Sequence, residues 1–238
     1  LARADYSLPN STSRITGRYA FSQNTQDDFA YSPYPEFSSP LVARGQNLSL
    51  NYTSDLAGGT NELKFGMNRN SVSLHRAHPE IPTLSSEDGT QLPGSAAAYD
   101  YAFRDTVFHV LDNYNRLVGR HALTVGGEWR PFLHDSLLSP ARDGVYGFPG
   151  VFNFVFDLPL SLSITVNRQT LQPAATRDFE RKYLQHEGAG FLQDNWKVSP
   201  RLMLNLGVRW EFFGAPSPRN GTEDLNFVFG PSDSPEQR

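Results

Sequence analysis

Apolar and polar residues alternate in short runs along this chain, and the clearest run closes a hairpin at residues 191–212. Leu202, Leu204, Leu206, Val208, Trp210 and Phe212 occupy every second position, with Asn205, Gly207, Arg209 and Glu211 between them and Met203 as the exception. Side chains of a strand point alternately to opposite faces, so this period of two predicts a strand with one apolar and one polar face. Phe191 to Lys197 supply the preceding strand, and Val198-Ser199-Pro200-Arg201 the turn.

Three earlier hairpins repeat the pattern more faintly. In the first, Ile15, Tyr19 and Phe21 share a face against Arg14, Thr16, Arg18 and Ser22, after a turn cluster at Pro9-Asn10-Ser11-Thr12. In the second, residues 47–53 alternate, Gly58-Gly59 marks a turn, and Leu63, Phe65 and Met67 return opposite Glu62, Lys64, Gly66 and Asn68. In the third, residues 106–117 lead through Val118-Gly119-Arg120 into a return strand with Leu123, Val125 and Trp129 on one face. Thr124, Gly126, Glu128 and Arg130 take its other face. Residues 151–156 predict a short aromatic strand and 161–166 another, while 23–45, 70–103, 131–146, 167–181 and the tail from Gly214 are expected to be loops. One turn of helix at 179–185 is the only helical suggestion. The result is an all-β chain of about eight to ten antiparallel strands, with tight turns on one side and long loops on the other.

Composition narrows what such a chain can do. Hydrophobic residues are 38% and charged residues 19% of the 238, too apolar for a disordered chain. The net charge of −4 gives no basic stripe for nucleic acid. With no Cys, thiol catalysis, thiolate metal sites and disulfides are excluded. No apolar run reaches the 18 or so residues of a transmembrane helix, but a barrel strand crosses with about 9–11 half-apolar residues. Alternation, short turns against long loops, and aromatics at strand ends (Tyr19, Phe21, Tyr52, Trp129, Trp210, Phe212) suit an up-and-down transmembrane barrel. A soluble β-sandwich or propeller that binds carbohydrate gives the same alternation and stays open at this point.

The hairpin Phe191-Leu192-Gln193-Asp194-Asn195-Trp196-Lys197-Val198-Ser199-Pro200-Arg201, continuing to Asn205-Leu206-Gly207-Val208-Arg209-Trp210-Glu211, resembles a recurring barrel hairpin of TonB-dependent outer-membrane receptors, nearest their Oar-like branch. Arg3-Ala4-Asp5-Tyr6 with Thr16-Gly17-Arg18-Tyr19, Gln46-Asn47-Leu48-Ser49-Leu50 with residues 61–66, and Gly119-Arg120-His121 with Gly126-Gly127-Glu128-Trp129-Arg130 resemble earlier hairpins in the same order. The resemblance implies a Gram-negative outer-membrane location and no enzymatic activity. It also implies TonB-energised uptake of a scarce solute such as a glycan, peptide or metal chelate. A structural or adhesive surface barrel is the alternative. Family barrels have about 22 strands around a plug, so the chain is expected to be an internal piece from the first half of a barrel. Its partners would be outer-membrane lipid, the plug domain, TonB and the solute.

Candidate sites follow from the faces. Glu128, Arg130, Arg209 and Glu211 are the candidates for a lumen lining, and Leu202, Leu204, Leu206, Val208 and Trp210 for the lipid contact. His75 and His78 could approach one metal only on a helix, which the nearby Pro79 and Pro82 oppose. His109, His121, His134 and His186 are isolated in sequence and are expected to be ordinary strand or loop residues. Gly144 to Gly150 lacks the Lys of a phosphate loop and is expected to turn. The sequons at Asn10, Asn47, Asn51 and Asn220 are taken as chance, and no cofactor is expected.

Overall fold

Alternating apolar and polar residues build one antiparallel sheet in which each strand pairs with its neighbour in the chain. The structure, a computed structural model, describes residues 1–9, 11–95, 101–138, 143–166 and 180–219. Its strands are β1 (Ala2–Ser7), β2 (Arg14–Ala30), β3 (Ser39–Leu56), β4 (Gly59–Leu74), β5 (Thr83–Ser86), β6 (Tyr101–Val118), β7 (His121–Leu138), β8 (Val145–Phe148), β9 (Ser161–Ser163), β10 (Glu180–Ser199), β11 (Leu202–Phe213) and β12 (Ser217–Pro218). The main sheet runs β1-β2-β3-β4-β6-β7-β10-β11, and β12 pairs with β10 just past the end of β11. All its pairings are antiparallel, as in an up-and-down barrel wall. Among the described residues β1 and β11 do not pair with each other, so the wall is a partial one.

Turn chemistry sets the hairpins. The β3–β4 turn centres on Ala57 and Gly58, with φ of 48° and 76°. Two successive positive φ values match the right-handed twist of the flanking strands, which is why the tight hairpin is favoured there. Gly119, at φ 59°, does the same for the β6–β7 turn. At the opposite end the strands run past the expected loops. β2, β3, β4, β6, β7 and β10 have 16 to 20 residues, well beyond the 9–11 or so that a bilayer requires. Residues 23–30, 39–45, 70–74, 101–103 and 131–138, expected as loop, are therefore strand, while 96–100 and 139–142 lie outside the described residues. Glu180 to Gln185 belongs to β10 and not to a helical turn.

Two more expectations change. Residues Val151–Val155 form a short α-helix, α1, instead of a strand. The Phe152 and Phe156 rings lie 4.6 Å apart, a spacing one helical turn provides. Residues Val145–Phe148 form β8, where a turn was expected; β8 pairs in parallel with β5 and antiparallel with β9. This small sheet ties together the long connectors at the loop end.

Most buried side chains among the described residues are in the connectors or at the loop ends of β2, β3 and β4. The buried apolar residues are Ala30, Phe37, Leu74, Leu92 and Phe148. Arg76 is buried with them: its guanidinium donates to Asp143 at 2.8 Å and to the carbonyls of Ile81 at 2.8 Å and Ser95 at 3.3 Å. In contrast, the apolar face of the sheet is open. Leu206 is 54% exposed, Val208 67% and Trp210 66%, and Ile15, Leu50, Leu63, Val125 and Leu192 are exposed too. Among the described residues no second layer packs on either face of the main sheet, as a sandwich would require.

Candidate functional site

Register places the charged residues of neighbouring strands side by side. Lys64 faces Leu111, Leu111 faces Glu128, Glu128 faces Ala189, and Ala189 faces Glu211, forming one row across β4, β6, β7, β10 and β11. The next row toward the turns carries Asn113, Gly126, Phe191 and Arg209. Successive residues alternate faces, so both rows share the polar face.

Glu128 is the junction of this face. One of its oxygens lies 2.8 Å from His109 Nε2, and the other accepts from Arg209, two strands away. The small side chain of Ala189 on the intervening β10 leaves room for that reach. Arg209 also donates to Glu211 at 2.6 Å and stands 5.6 Å above the Phe191 ring. The ring lies over Gly126, where a Cβ would meet Phe191 at 2.5 Å, Asn113 Oδ1 at 2.6 Å and the Asp112 carbonyl at 2.6 Å. Gly126 is therefore required by close approach. Arg130 donates to Glu187 at 2.5 Å on the same face. The expected set of Glu128, Arg130, Arg209 and Glu211 thus does share one face, with three of the four in direct contact.

The lattice extends beyond that set. Asp5 takes hydrogen bonds from Arg3 at 2.9 Å, Arg14 at 2.9 Å and Thr16 at 2.7 Å, and Lys64 pairs with Glu62 at 2.9 Å. His109, expected to be an ordinary strand residue, belongs to it, a role that needs the β6–β7 register and has no local signal. Toward the loop end the polar face turns aromatic. Tyr101, Phe103, Phe132, His134 and Tyr183 form a patch with ring centroids 5.5 to 6.4 Å apart. A cavity of about 310 Å³ opens against Phe132, His134, Tyr183, Gln185 and Pro216.

The apolar face carries a belt with polar margins. It runs through Ile15, Tyr19 and Phe21; Leu48, Leu50 and Tyr52; Leu63, Phe65 and Met67; Phe108 and Val110; Val125 and Trp129; and Leu202 to Phe212. Within the belt, toward the turns, Asn61 donates to Asp112 at 2.7 Å, and His121 lies 2.7 Å from Asp194, opposite Leu206, and stacks on Trp196. At the loop end the same face carries Arg44, Arg69, Arg104, Asp135 and Lys182.

No metal centre forms among the described residues. His78 instead lies 2.8 Å from Glu80 and edge-on to Phe37. Asn47 and Asn51 sit on the polar face of β3, and Asn10 and Asn220 lie outside the described residues.

No curated protein and no solved structure matches the chain. A family model described as an outer membrane beta barrel domain matches residues 1–236. An open antiparallel sheet, an uncovered apolar belt and a charged opposite face are what that domain requires. The chain belongs to the outer-membrane β-barrel domain family, and its place is the cell outer membrane.

Proposed function

We propose that this chain is wall from a TonB-dependent outer-membrane receptor of the Oar-like branch, in which the apolar belt meets lipid and the charged face lines a lumen. The observation that carries this is the ion-paired lattice joining His109, Glu128, Arg209 and Glu211 across three strand pairings. Pairs of this kind are tolerated where water reaches them and costly in hydrocarbon. On this account the long connectors lie outside the cell and the tight turns face the periplasm. Leu202, Leu204, Leu206, Val208 and Trp210 contact lipid, while Glu128, Arg130, Arg209 and Glu211 line the solute path and the seat of a plug domain. The aromatic patch at Phe132, His134 and Tyr183 is where an entering solute first meets the wall. The protein performs no chemistry; the energy for uptake comes through TonB. The solute is a scarce glycan, peptide or metal chelate.

The test is genetic. Deleting the parent gene should impair growth on one limiting solute, and deleting TonB should reproduce that loss without adding to it. An uptake defect indifferent to TonB, or a parent gene that encodes no plug domain, would overturn the transport claim. A phenotype confined to cell-surface attachment would favour the adhesive barrel instead. The cap of connectors stapled by Arg76 and Asp143 is the feature that suits that second reading.

A further inference from the structure

Three arginines on the belt side of the sheet have no role in the lattice. Arg44 on β3, Arg69 on β4 and Arg104 on β6 all lie on the apolar face, four, two and four residues beyond Leu48, Met67 and Phe108 toward the loop end. Register puts Arg44 opposite Ser71 and Ser71 opposite Arg104, with Arg69 one row nearer the belt. The three therefore converge on one strand, β4. They line a groove of about 370 Å³ with Ser71 and Ser73, and a second of about 230 Å³ lies against Arg44, Gln46, Arg69 and Ser71.

Among the described residues their charges are poorly matched. Arg69 has no hydrogen bond or ion pair among the described residues. Among the described residues Arg44 donates to the neutral Gln23, at 3.0 Å. Arg104 reaches Asp135 at 3.8 Å, but Asp135 is already held by Arg219. Asp135 and Glu180 also border the groove, on its β7 and β10 side, and Glu180 pairs with Lys182 at 2.8 Å. The β3–β4–β6 side is left with cationic charge. Arginine on a lipid-facing strand is costly near the midplane and cheap at the interface, so these positions mark the membrane edge.

We propose that Arg44, Arg69 and Arg104 seat the phosphorylated headgroup of an outer-leaflet glycolipid, with its acyl chains lying on the belt at Leu48, Met67 and Phe108. Guanidinium groups match phosphate oxygens bidentately, and Ser71 adds a hydroxyl between them. The loop end is the outer leaflet, where such phosphates stand at the edge of the hydrocarbon. The proposal depends on the belt facing lipid, as proposed above.

The experiment uses the full-length parent protein in detergent micelles, with bisphosphorylated lipid A as the probe. The double variant R44Q/R69Q is compared with wild type and with R18Q, whose arginine lies on the polar face. The expected result is at least a tenfold loss of lipid A affinity in R44Q/R69Q, no change in R18Q, and no competition from millimolar inorganic phosphate. An unshifted boiled band on a gel identifies any variant that fails to fold; R69Q alone then replaces the double variant, with a loss of about threefold expected. Equal affinity of R44Q/R69Q and wild type, or equal binding of dephosphorylated lipid A, overturns the proposal. Full competition by inorganic phosphate overturns the lipid as the source. The face assignment is read separately: brominated acyl chains should quench Trp129 and Trp210 in every variant, and absent quenching would defeat that assignment.

Discussion

Glu128 and Gly126 are two residues apart on β7, and their face depends on both. Gly126 clears space for the Phe191 ring, the ring supports Arg209, and Arg209 closes on Glu128. Gly126→Ala places a methyl 2.6 Å from the Asp112 backbone carbonyl, which cannot swing away as a side chain could. Overpacking of this kind costs about 1–3 kcal/mol, so urea unfolding in detergent should show a loss of that size, while Gly190→Ala, with open space around it, should show much less. The belt gives a sharper contrast. On the lipid-facing reading Val208→Arg, opposite Leu192, should cost about 2–4 kcal/mol, whereas Asn205→Arg on the other face should be tolerated. Equal costs would reverse the face assignment. The charges on β7 and β11 were legible in the sequence because they alternate with apolar neighbours. The histidines were not, since His109, His121 and His134 gain carboxylate neighbours only through pairing with Glu128, Asp194 and Asp105 on adjacent strands.

At the scale of the element, alternation revealed strands only where one face is apolar. Ser22 to Asp28 is polar on both faces and yet continues β2, held by backbone pairing to β3 through Gln26. A strand that leaves the membrane has water on both sides and loses its period, so the outer halves of β2, β3, β4 and β7 looked like loop. The cap above them holds by polar groups of long sequence separation. Arg76→Met removes the guanidinium that donates to Asp143, and breaking a buried pair costs about 3–5 kcal/mol. The expected outcome is faster amide hydrogen exchange in β5 and β8 with β10 and β11 unchanged. Asp88 offers a pH handle on the same cap. It accepts from Ser86 at 2.6 Å and from the Thr90 and Val151 amides, and the Ser86 hydroxyl, then the Thr90 amide, hold its carboxyl down at about 2. A depressed carboxylate stabilises above its ordinary range and loses that contribution as pH falls through the depressed value. Protection of the Thr90 amide relative to its intrinsic exchange rate should therefore hold down to pH 4 and fall between about 4 and 2.

At the scale of the whole molecule, the described residues bury few apolar side chains for so large a sheet. Most of these are at the loop ends of β2 and β4 and in the connectors, and among the described residues the belt from Ile15 to Phe212 is largely uncovered. In water such a surface would aggregate; on the proposed reading it is the surface that a bilayer covers. All three tryptophans, Trp129, Trp196 and Trp210, lie on the belt side. The most direct test of this account is spin-label accessibility along β11 in lipid bilayers. Single cysteines, absent from the natural chain, would be placed in turn at residues 202–212 and labelled. Labels replacing Leu202, Leu204, Leu206, Val208 and Trp210 should relax strongly with oxygen dissolved in the hydrocarbon. Labels replacing Met203, Asn205, Gly207, Arg209 and Glu211 should respond instead to a water-soluble nickel chelate. A period of two in that order is the expected result; the opposite phase, or no alternation, would contradict it.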